Sequence, residues 1–223
     1  MIRLFIVGCP RSGTTLLQCL LAAHSQMISF PESHLHYDFD RAGARLTQFD
    51  RIAQQKQLAG WIEKTPRHLH FIEEIKALCP SAKFIHSIRD VRGNVASLYG
   101  IERHYGASWG YQPKTIKECF QRWQNDYRIS QAYFNHPHHK LVQYEELVEQ
   151  PSDILQNICQ YVGLEFEPEM LLKYSDILPI VAQEAPWKNS VKEPIKNFNM
   201  AALSYLFPEE TYELEKQCLE ANL

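Results

Sequence analysis

A short segment near the start of the chain combines two glycines, an arginine and three hydroxyl side chains at a spacing that suits a bound phosphate. The segment reads Gly8-Cys9-Pro10-Arg11-Ser12-Gly13-Thr14-Thr15, and it lies between an apolar run at 4–7 and a second one at 16–23. A turn from a buried strand into a helix directs backbone N–H groups and the positive helix end at one point. The sequence therefore predicts a phosphate-binding loop.

One residue of this loop departs from the pattern for nucleoside triphosphates, G-x-x-x-x-G-K-[ST]. Thr14 stands where the lysine belongs, and that lysine normally reaches the outer phosphates beside a magnesium ion. We therefore expect the loop to hold one phosphate-like group without cutting a triphosphate. Arg11 supplies a charge that suits a planar oxyanion. The alternative is an ordinary strand-to-helix turn that binds nothing.

A second candidate group follows another apolar strand pattern, at 83–88. Arg89 comes directly after it, and Ser97 lies eight residues later, two turns along the predicted helix at 91–103. If Arg89 sits in a turn that folds back, both side chains can grip one terminal phosphate. The alternative is that Arg89 pairs with a carboxylate while Ser97 lies on a helix surface.

The remaining pattern predicts elements that alternate between strand and helix. We expect a polar bend at 25–37, a helix-compatible segment at 38–58, a short strand and turn at 61–66, helices at 68–78, 115–133, 144–149 and 151–161, a strand at 140–143 and a long functional loop at 179–198. Such alternation is typical of parallel sheets. The predicted fold is an α/β, three-layer α/β/α sandwich around a short parallel sheet, as one domain over 1–223, with ligands beyond the carboxyl ends of the strands.

Composition narrows the class of protein further. The chain has 223 residues and a net charge of −3, with no long basic run, so we expect no nucleic-acid partner. Its six cysteines are scattered without a C-x-x-C pair, which indicates neither a zinc site nor a disulfide scaffold and favours a reducing cytoplasm. Arg3 and Arg11 interrupt the first apolar stretch, so we expect no signal peptide and no membrane anchor.

Taken together, the loop and the segment Ser87-Ile88-Arg89-Asp90-Val91-Arg92 to Ser97 resemble the two nucleotide-binding motifs of sulfotransferases that use 3′-phosphoadenosine-5′-phosphosulfate (PAPS). The resemblance is to the tyrosylprotein and bacterial branch, which has arginine in the loop where cytosolic animal relatives have lysine. It implies a sulfotransferase fold similar to that of P-loop nucleoside triphosphate hydrolases. It also implies that the loop cradles the 5′-phosphosulfate and that Arg89 and Ser97 hold the 3′-phosphate.

The same resemblance, which covers most of the chain thinly, implies roles for further residues. Glu32 matches the general base of this branch, Lys64 matches its active-site lysine, and Tyr144 matches a Y-E-x-L element near the nucleotide. A late loop that closes over the cofactor in relatives corresponds here to the segment with Ser190, Lys192 and Lys196. Relatives often end that segment with glycine, tryptophan and a basic residue, whereas this chain reads Ala202-Leu203-Ser204-Tyr205-Leu206. Which cation completes the 3′-phosphate site therefore stays open.

The implied reaction is in-line transfer of a sulfuryl group to a hydroxyl or amine acceptor, without a metal. Glu32 would accept the acceptor's proton, and Lys64 and Arg11 would stabilise the charge that develops on the sulfuryl group and bridging oxygen. His34 or His36 could be the base instead, since histidine titrates near neutrality.

Other readings of the function stay open at this point. One is an ATP-dependent small-molecule or nucleotide kinase, and another is a non-catalytic nucleotide-binding protein. The acceptor could be a small molecule, a glycan, a lipid or a peptide, and we expect 38–60 and 104–113 to line its pocket. The pattern does not indicate an oligomeric state.

Overall fold

The computed structural model describes residues 1–105, 115–181, 188 and 191–223. Its centre is one sheet of five strands in the order β2-β3-β1-β4-β5, in which every described pairing is parallel. In chain order the strands are β1 (Ile2–Gly8), β2 (Met27–Ser29), β3 (Gly60–Lys64), β4 (Lys83–Ile88) and β5 (His139–Gln143). Because β1 is central, its carboxyl end has neighbours on both sides.

Helices connect and cover these strands. They are α1 (Thr14–Ala22), α2 (Phe39–Gln55), α3 (Ile72–Leu78), α4 (Val91–Tyr105), α5 (Ile116–Gln131), α6 (Tyr144–Glu149), α7 (Pro151–Val162), α8 (Met170–Val181), α9 (Asn199–Leu203) and α10 (Pro208–Glu220), with 3-10 turns at Leu35–Tyr37 and Pro66–Phe71. None of the helices in the described ranges is long and apolar enough to cross a membrane.

The central strand shows why the sheet has helices on both faces. Successive side chains of a strand point to opposite faces, and all four residues from Leu4 to Val7 are buried. Leu4 and Ile6 pack with α1, α7 and α8, whereas Phe5 and Val7 pack with α2 and α3. The predicted three-layer α/β arrangement around a parallel sheet is therefore confirmed.

The register of the sheet places the predicted site at one edge. Gly8, at the end of β1, pairs with Ser87 near the end of β4. On the other side Ile6 pairs with Lys64, the last residue of β3. The segments that follow these three strands therefore leave the sheet side by side, as the rule for ligand sites in open parallel sheets requires.

Three sequence expectations differ from the structure. The bend predicted at 25–37 contains β2, whose three residues are too few to show an alternating pattern and which forms by pairing with β3. The helix predicted at 68–78 is a 3-10 turn up to Phe71 and an α-helix only from Ile72. The loop predicted from Pro179 begins inside α8, because Met170, Tyr174 and Ile177 bury one helical face against the α1 side of the core.

Two buried histidines lie on β4 and on the edge strand β5, on the face of the sheet that α2 and α3 cover. His86 of β4 and His139 of β5 are 1% and 6% exposed, and His86 Nε2 lies 2.9 Å from His139 Nδ1. Burial lowers the pKa of His86 to about 4 and that of His139 to about 3. Both rings are therefore neutral in the folded protein above these values, whereas the unfolded chain binds protons near pH 6.5.

We expect the free energy of unfolding to fall as the pH drops from about 6.5 to about 4, because in this window the unfolded state binds protons that the folded state does not. Each histidine adds a slope of up to about 1.4 kcal/mol per pH unit. Urea unfolding between pH 7 and pH 4.5 measures it. His86→Gln should reduce the slope, the exposed-site control His138→Gln should retain it, and an equal slope in both variants would contradict the assignment.

Candidate functional site

The loop between β1 and α1 requires both of its glycines. Gly8 has φ +147°, and a Cβ there would lie 2.3 Å from the carbonyl oxygen of Ser87. Gly13 has φ +85°, and its Cβ would lie 2.5 Å from a ring carbon of Tyr144. The loop is thus pressed against β4 on one side and against the Tyr144 ring on the other. This close packing leaves no space for a side chain at either position.

Internal hydrogen bonds hold the rest of the loop. Ser12 is fully buried, and both its backbone N–H and its hydroxyl donate to the carbonyl oxygen of Cys9, at 3.2 and 2.7 Å. The Ser87 hydroxyl donates to the carbonyl oxygen of Ser12 at 2.5 Å. The N–H and the hydroxyl of Ser12 are therefore both used in hydrogen bonds within the loop. Thr14 and Thr15 form the first turn of α1, where backbone N–H groups have no partner within the helix.

Arg11 joins the loop to the second predicted motif. Its backbone is left-handed, at φ +75°, and its Nε donates to the Ser97 hydroxyl at 3.1 Å. Its carbonyl oxygen accepts from Arg89 Nη1 at 2.9 Å. The sequence suggested a turn that folds Arg89 back towards Ser97, and the structure brings both residues to Arg11.

Arg89 is held in a buried setting by Tyr144 and by Asn199, of which the sequence analysis singled out only Tyr144. Its Nε donates to Asn199 Oδ1 at 2.7 Å, its guanidinium lies 4.6 Å from the centre of the Tyr144 ring, and its exposure is 5%. Asn199 in turn donates to Glu145 Oε1 at 2.7 Å. Burial lowers the pKa of Arg89, although arginine stays protonated in proteins. Among the described residues its Nη2 has no hydrogen-bond partner, which leaves a buried donor for an anion.

The late-loop residues contribute in different ways. The Tyr144 hydroxyl donates to the carbonyl oxygen of Lys196 at 3.2 Å, so Lys196 reaches this region through its backbone. Its ammonium instead lies 2.7 Å from Glu193 on the surface. Lys192 is exposed beside the buried Val191. Ser190 lies outside the described residues, as does most of the expected acceptor segment 104–113.

Glu32 and Lys64 form the second part of the site. Lys64 Nζ donates to Glu32 Oε1, and Lys188 Nζ donates to the same oxygen at 2.8 Å. Burial alone would raise the pKa of Glu32, but the two ammonium groups outweigh it and lower the pKa to about 2. Burial lowers the pKa of Lys64 to about 8 even with Glu32 beside it. Glu32 is therefore ionised at neutral pH, and Lys64 is close to its titration point.

The two alternative bases differ in their surroundings. His34 Nε2 lies 4.0 Å from Glu32 Oε2, and the His34 side chain is 44% exposed. The His36 ring stacks on Phe71 with centroids 5.2 Å apart, and burial lowers its pKa to about 4. Of the two alternative bases, His34 therefore lies beside Glu32, whereas His36 packs in an aromatic cluster with Phe71.

A buried glutamine links the two parts of the site. Gln18, on α1, is fully buried and donates from Nε2 to the Ser29 hydroxyl at 2.8 Å and to the carbonyl oxygen of Phe30 at 2.9 Å. These residues directly precede the segment that carries Glu32. α1 begins at the loop of residues 8–15, which we call the phosphate loop, and through Gln18 it also anchors the segment that carries Glu32.

Sequence analysis missed Lys188 and Asn199. Lys188 stands in the segment where Ser190, Lys192 and Lys196 were named, so a count of its cations would have included it. Asn199 had no such signal, because its place beside Arg89 depends on α9 docking on α4. That docking needs Gly93, where a Cβ would lie 2.1 Å from Asn199 Oδ1.

Solved structures share this architecture. The sulfotransferase domain from the curacin biosynthetic pathway superposes with a TM-score of 0.62 at 19% identity, covering 97% of this chain and 96% of that chain. Mouse sulfotransferase SULT7A1, complexed with PAP, superposes with a TM-score of 0.66 at 13% identity, covering 98% and 84%. The fold is therefore the sulfotransferase fold.

Sequence comparison leads to the same group of proteins. A putative protein-tyrosine sulfotransferase of Caenorhabditis briggsae is 27% identical over 194 residues, which cover 75% of this chain and 68% of that protein. Two further curated relatives are covered over 27% and 62% of their lengths. The model of the sulfotransferase family matches residues 3–47 and 36–168. The loop at 8–15, Glu32, Lys64, Arg89, Ser97 and Tyr144 all lie within this match. The chain therefore belongs to the sulfotransferase family.

Proposed function

We propose that this protein transfers the sulfuryl group of PAPS to a hydroxyl or amine acceptor and releases adenosine 3′,5′-bisphosphate. The observation that carries the proposal is the buried Arg89, whose Nη2 has no partner among the described residues although the same guanidinium is fixed to the phosphate loop. A buried hydrogen-bond donor without an acceptor destabilises the folded protein, unless a ligand supplies the acceptor. An anion next to the phosphate loop suits a nucleotide with phosphates at two positions.

The two ends of the nucleotide would bind to different strand ends. The N–H groups of Gly13, Thr14 and Thr15, with the Arg11 side chain, would hold the 5′-phosphosulfate at the start of α1. Arg89 and Ser97, which meet at Arg11, would hold the 3′-phosphate, and Tyr144 would line the nucleotide between them. Ser12 would act mainly by shaping the loop, and Ser190, Lys192 and Lys196 stay predictions for the segment that covers the nucleotide.

Catalysis would require the Glu32 ion pair to rearrange. A carboxylate with a pKa of about 2 is a weak base, and Lys64 and Lys188 keep Glu32 in that state. The sulfuryl oxygens of a bound donor would attract the Lys64 ammonium away from Glu32. The pKa of Glu32 would then rise, and the carboxylate could accept the proton of the attacking acceptor. Lys64 and Arg11 would stabilise the charge on the leaving group.

The acceptor is proposed only as a chemical class. The name of the C. briggsae relative indicates a protein tyrosine as its acceptor, and for this chain a small molecule, glycan, lipid or peptide that offers a hydroxyl or an amine fits the same chemistry. We also propose a reducing compartment such as the cytoplasm, because the cysteines are scattered and buried, and Cys9, Cys19, Cys79, Cys159 and Cys218 are free thiols.

The deciding experiment compares two donors. Calorimetric titration should detect adenosine 3′,5′-bisphosphate without added metal, and radiolabelled PAPS should pass its label to members of a mixed acceptor panel. Binding of ATP with magnesium in place of the bisphosphate would support a kinase and would overturn the proposal. Bisphosphate binding without transfer to any acceptor would support a non-catalytic role.

Glu32→Gln should lower the transfer rate by about 10²–10⁴-fold, because the amide cannot accept the acceptor's proton. The affinity for adenosine 3′,5′-bisphosphate should stay within about twofold, as the loop and Arg89 are untouched. Single-turnover transfer and calorimetry measure the two effects, and Glu74→Gln, on the exposed face of α3, is the matched control. An equal loss of rate and affinity would contradict the base role.

Arg89→Ala should weaken adenosine 3′,5′-bisphosphate binding by about 1.5–3 kcal/mol, the usual effect of losing a hydrogen bond to a charged group. Adenosine 5′-monophosphate, which lacks the 3′-phosphate, should bind the variant and the parent protein about equally. Arg3→Ala removes the ion pair with Asp50 near the opposite ends of the strands and should leave the affinity unchanged. Equal bisphosphate affinity in Arg89→Ala would place the 3′-phosphate elsewhere.

A further inference from the structure

A carboxylate that the proposed reaction does not use is buried directly beside Lys64. Glu63 is the penultimate residue of β3 and is fully buried. Its Oε1 accepts from the backbone N–H of Ser33 at 3.0 Å, from the Ser33 hydroxyl at 2.7 Å and from the Thr65 hydroxyl at 2.5 Å. Its Oε2 lies 2.9 Å from Nδ1 of His68. Four donor groups therefore surround one buried carboxylate.

Burial by itself raises the pKa of a carboxyl group, but the hydrogen-bonding partners of Glu63 outweigh this effect. His68 lies against Oε2, and Thr65 and Ser33 donate to Oε1, so that together they lower the pKa of Glu63 below its usual value. His68 is fully buried as well, and a ring protonated at Nδ1 donates to Oε2. Glu63 is thus held as an ionised, fully occupied acceptor inside the protein.

Two of these donor groups belong to the residue that follows Glu32. Adjacent residues of a strand point to opposite faces of the sheet. Lys64 and Glu63 therefore reach the segment that carries Glu32 and Ser33 from two sides. Lys64 binds the side chain of Glu32, and Glu63 binds both the backbone and the side chain of Ser33. Arg45 Nη1 donates to the carbonyl oxygen of Ser33 at 2.9 Å. Ser33 is therefore held at its N–H, its hydroxyl and its carbonyl group.

We propose that the buried pair of Glu63 and His68 is a positioning device that holds the Glu32 segment in place for proton transfer. Its catalytic consequence rests on the proposed function. The segment lies between β2 and the 3-10 turn at Leu35–Tyr37, so a helix or strand does not fix the direction of the Glu32 side chain. A catalytic group displaced by about 1 Å can cost roughly 10²-fold in rate. Glu63 acts on the reaction only through Ser33 and Glu32.

The first test measures the segment directly, without an enzyme assay. In Glu63→Gln the acceptor for Ser33 is neutral and the ring of His68 no longer faces a carboxylate. We expect amide hydrogen exchange of the peptide that contains Ser33 to rise at least about tenfold by local opening, while peptides of β1 and α1 keep their exchange rates. Ser33→Ala, which removes only the hydroxyl, should cause a smaller change in the same peptide.

Asp50→Asn is the matched control for this change. Asp50 is a partly buried carboxylate that accepts from Trp61 Nε1 at 2.8 Å and from Arg3, near the amino end of β3. Its replacement should lower the melting temperature without changing exchange at Ser33. Unchanged exchange in Glu63→Gln, or an equal rise in the Asp50 variant, would overturn the proposal.

The second test is a double-mutant cycle on the transfer rate. Glu63→Gln alone should lower kcat by about 10–100-fold and leave the affinity for adenosine 3′,5′-bisphosphate unchanged. In the Glu32→Gln background it should have almost no further effect, because Glu63 then has no base to position. Multiplicative losses would show a general structural effect and contradict the proposal. If the parent protein transfers no sulfuryl group, the proposed function fails, and the exchange test still decides whether Glu63 places the segment.

Discussion

The parallel pairing of β1 with β3 on one side and β4 on the other is the constraint on which the site depends. Since parallel strands end at the same edge, the loop after Gly8, the residue after Ile88 and the end of β3 are neighbours in space. The hydrogen bonds from Arg89 and to Ser97 can meet at Arg11 only in this arrangement. Antiparallel pairing would send the same segments to opposite ends of the sheet.

Buried charge is the second feature that shapes the molecule. Lys64, Glu63 and Arg89 are each 5% exposed or less, and an isolated charge in such a place is strongly unfavourable. Lys64 is paired with Glu32, and Glu63 is surrounded by donors from Ser33, Thr65 and His68. Arg89 retains an unmatched donor among the described residues. Lys64 and Glu63 are therefore paired within the protein, whereas Arg89 retains a donor that suits a ligand.

The Glu32 pair connects this electrostatic arrangement with the chemistry. In the structure the carboxylate is stabilised so well by Lys64 and Lys188 that its basicity is low. In the proposed mechanism the Lys64 ammonium would leave Glu32 for the sulfuryl group of the donor, so that donor binding and activation of the base would be coupled. Glu63, which accepts hydrogen bonds from the backbone and the side chain of Ser33, would keep the Glu32 segment in place during this exchange.

The limits of sequence reasoning appear at particular residues. Lys64 could be matched to a family motif, but that its pKa lies near 8 follows from complete burial. Asn199 lies 110 residues from its partner Arg89, and local pattern carries no information about such a contact. β2 was missed because three residues form a strand only when β3 is already beside them.

The sequence by itself determined the parallel α/β class and predicted the phosphate-binding loop and the candidate residues of both motifs, because these depend on glycine spacing, local periodicity and side-chain chemistry. Tertiary structure alone decided that Arg11 joins the two motifs, that Lys188 shares Glu32 with Lys64, and that Glu63 holds Ser33. Such contacts join residues far apart in the chain, and they depend on strand order, register and burial, which local residue patterns do not specify.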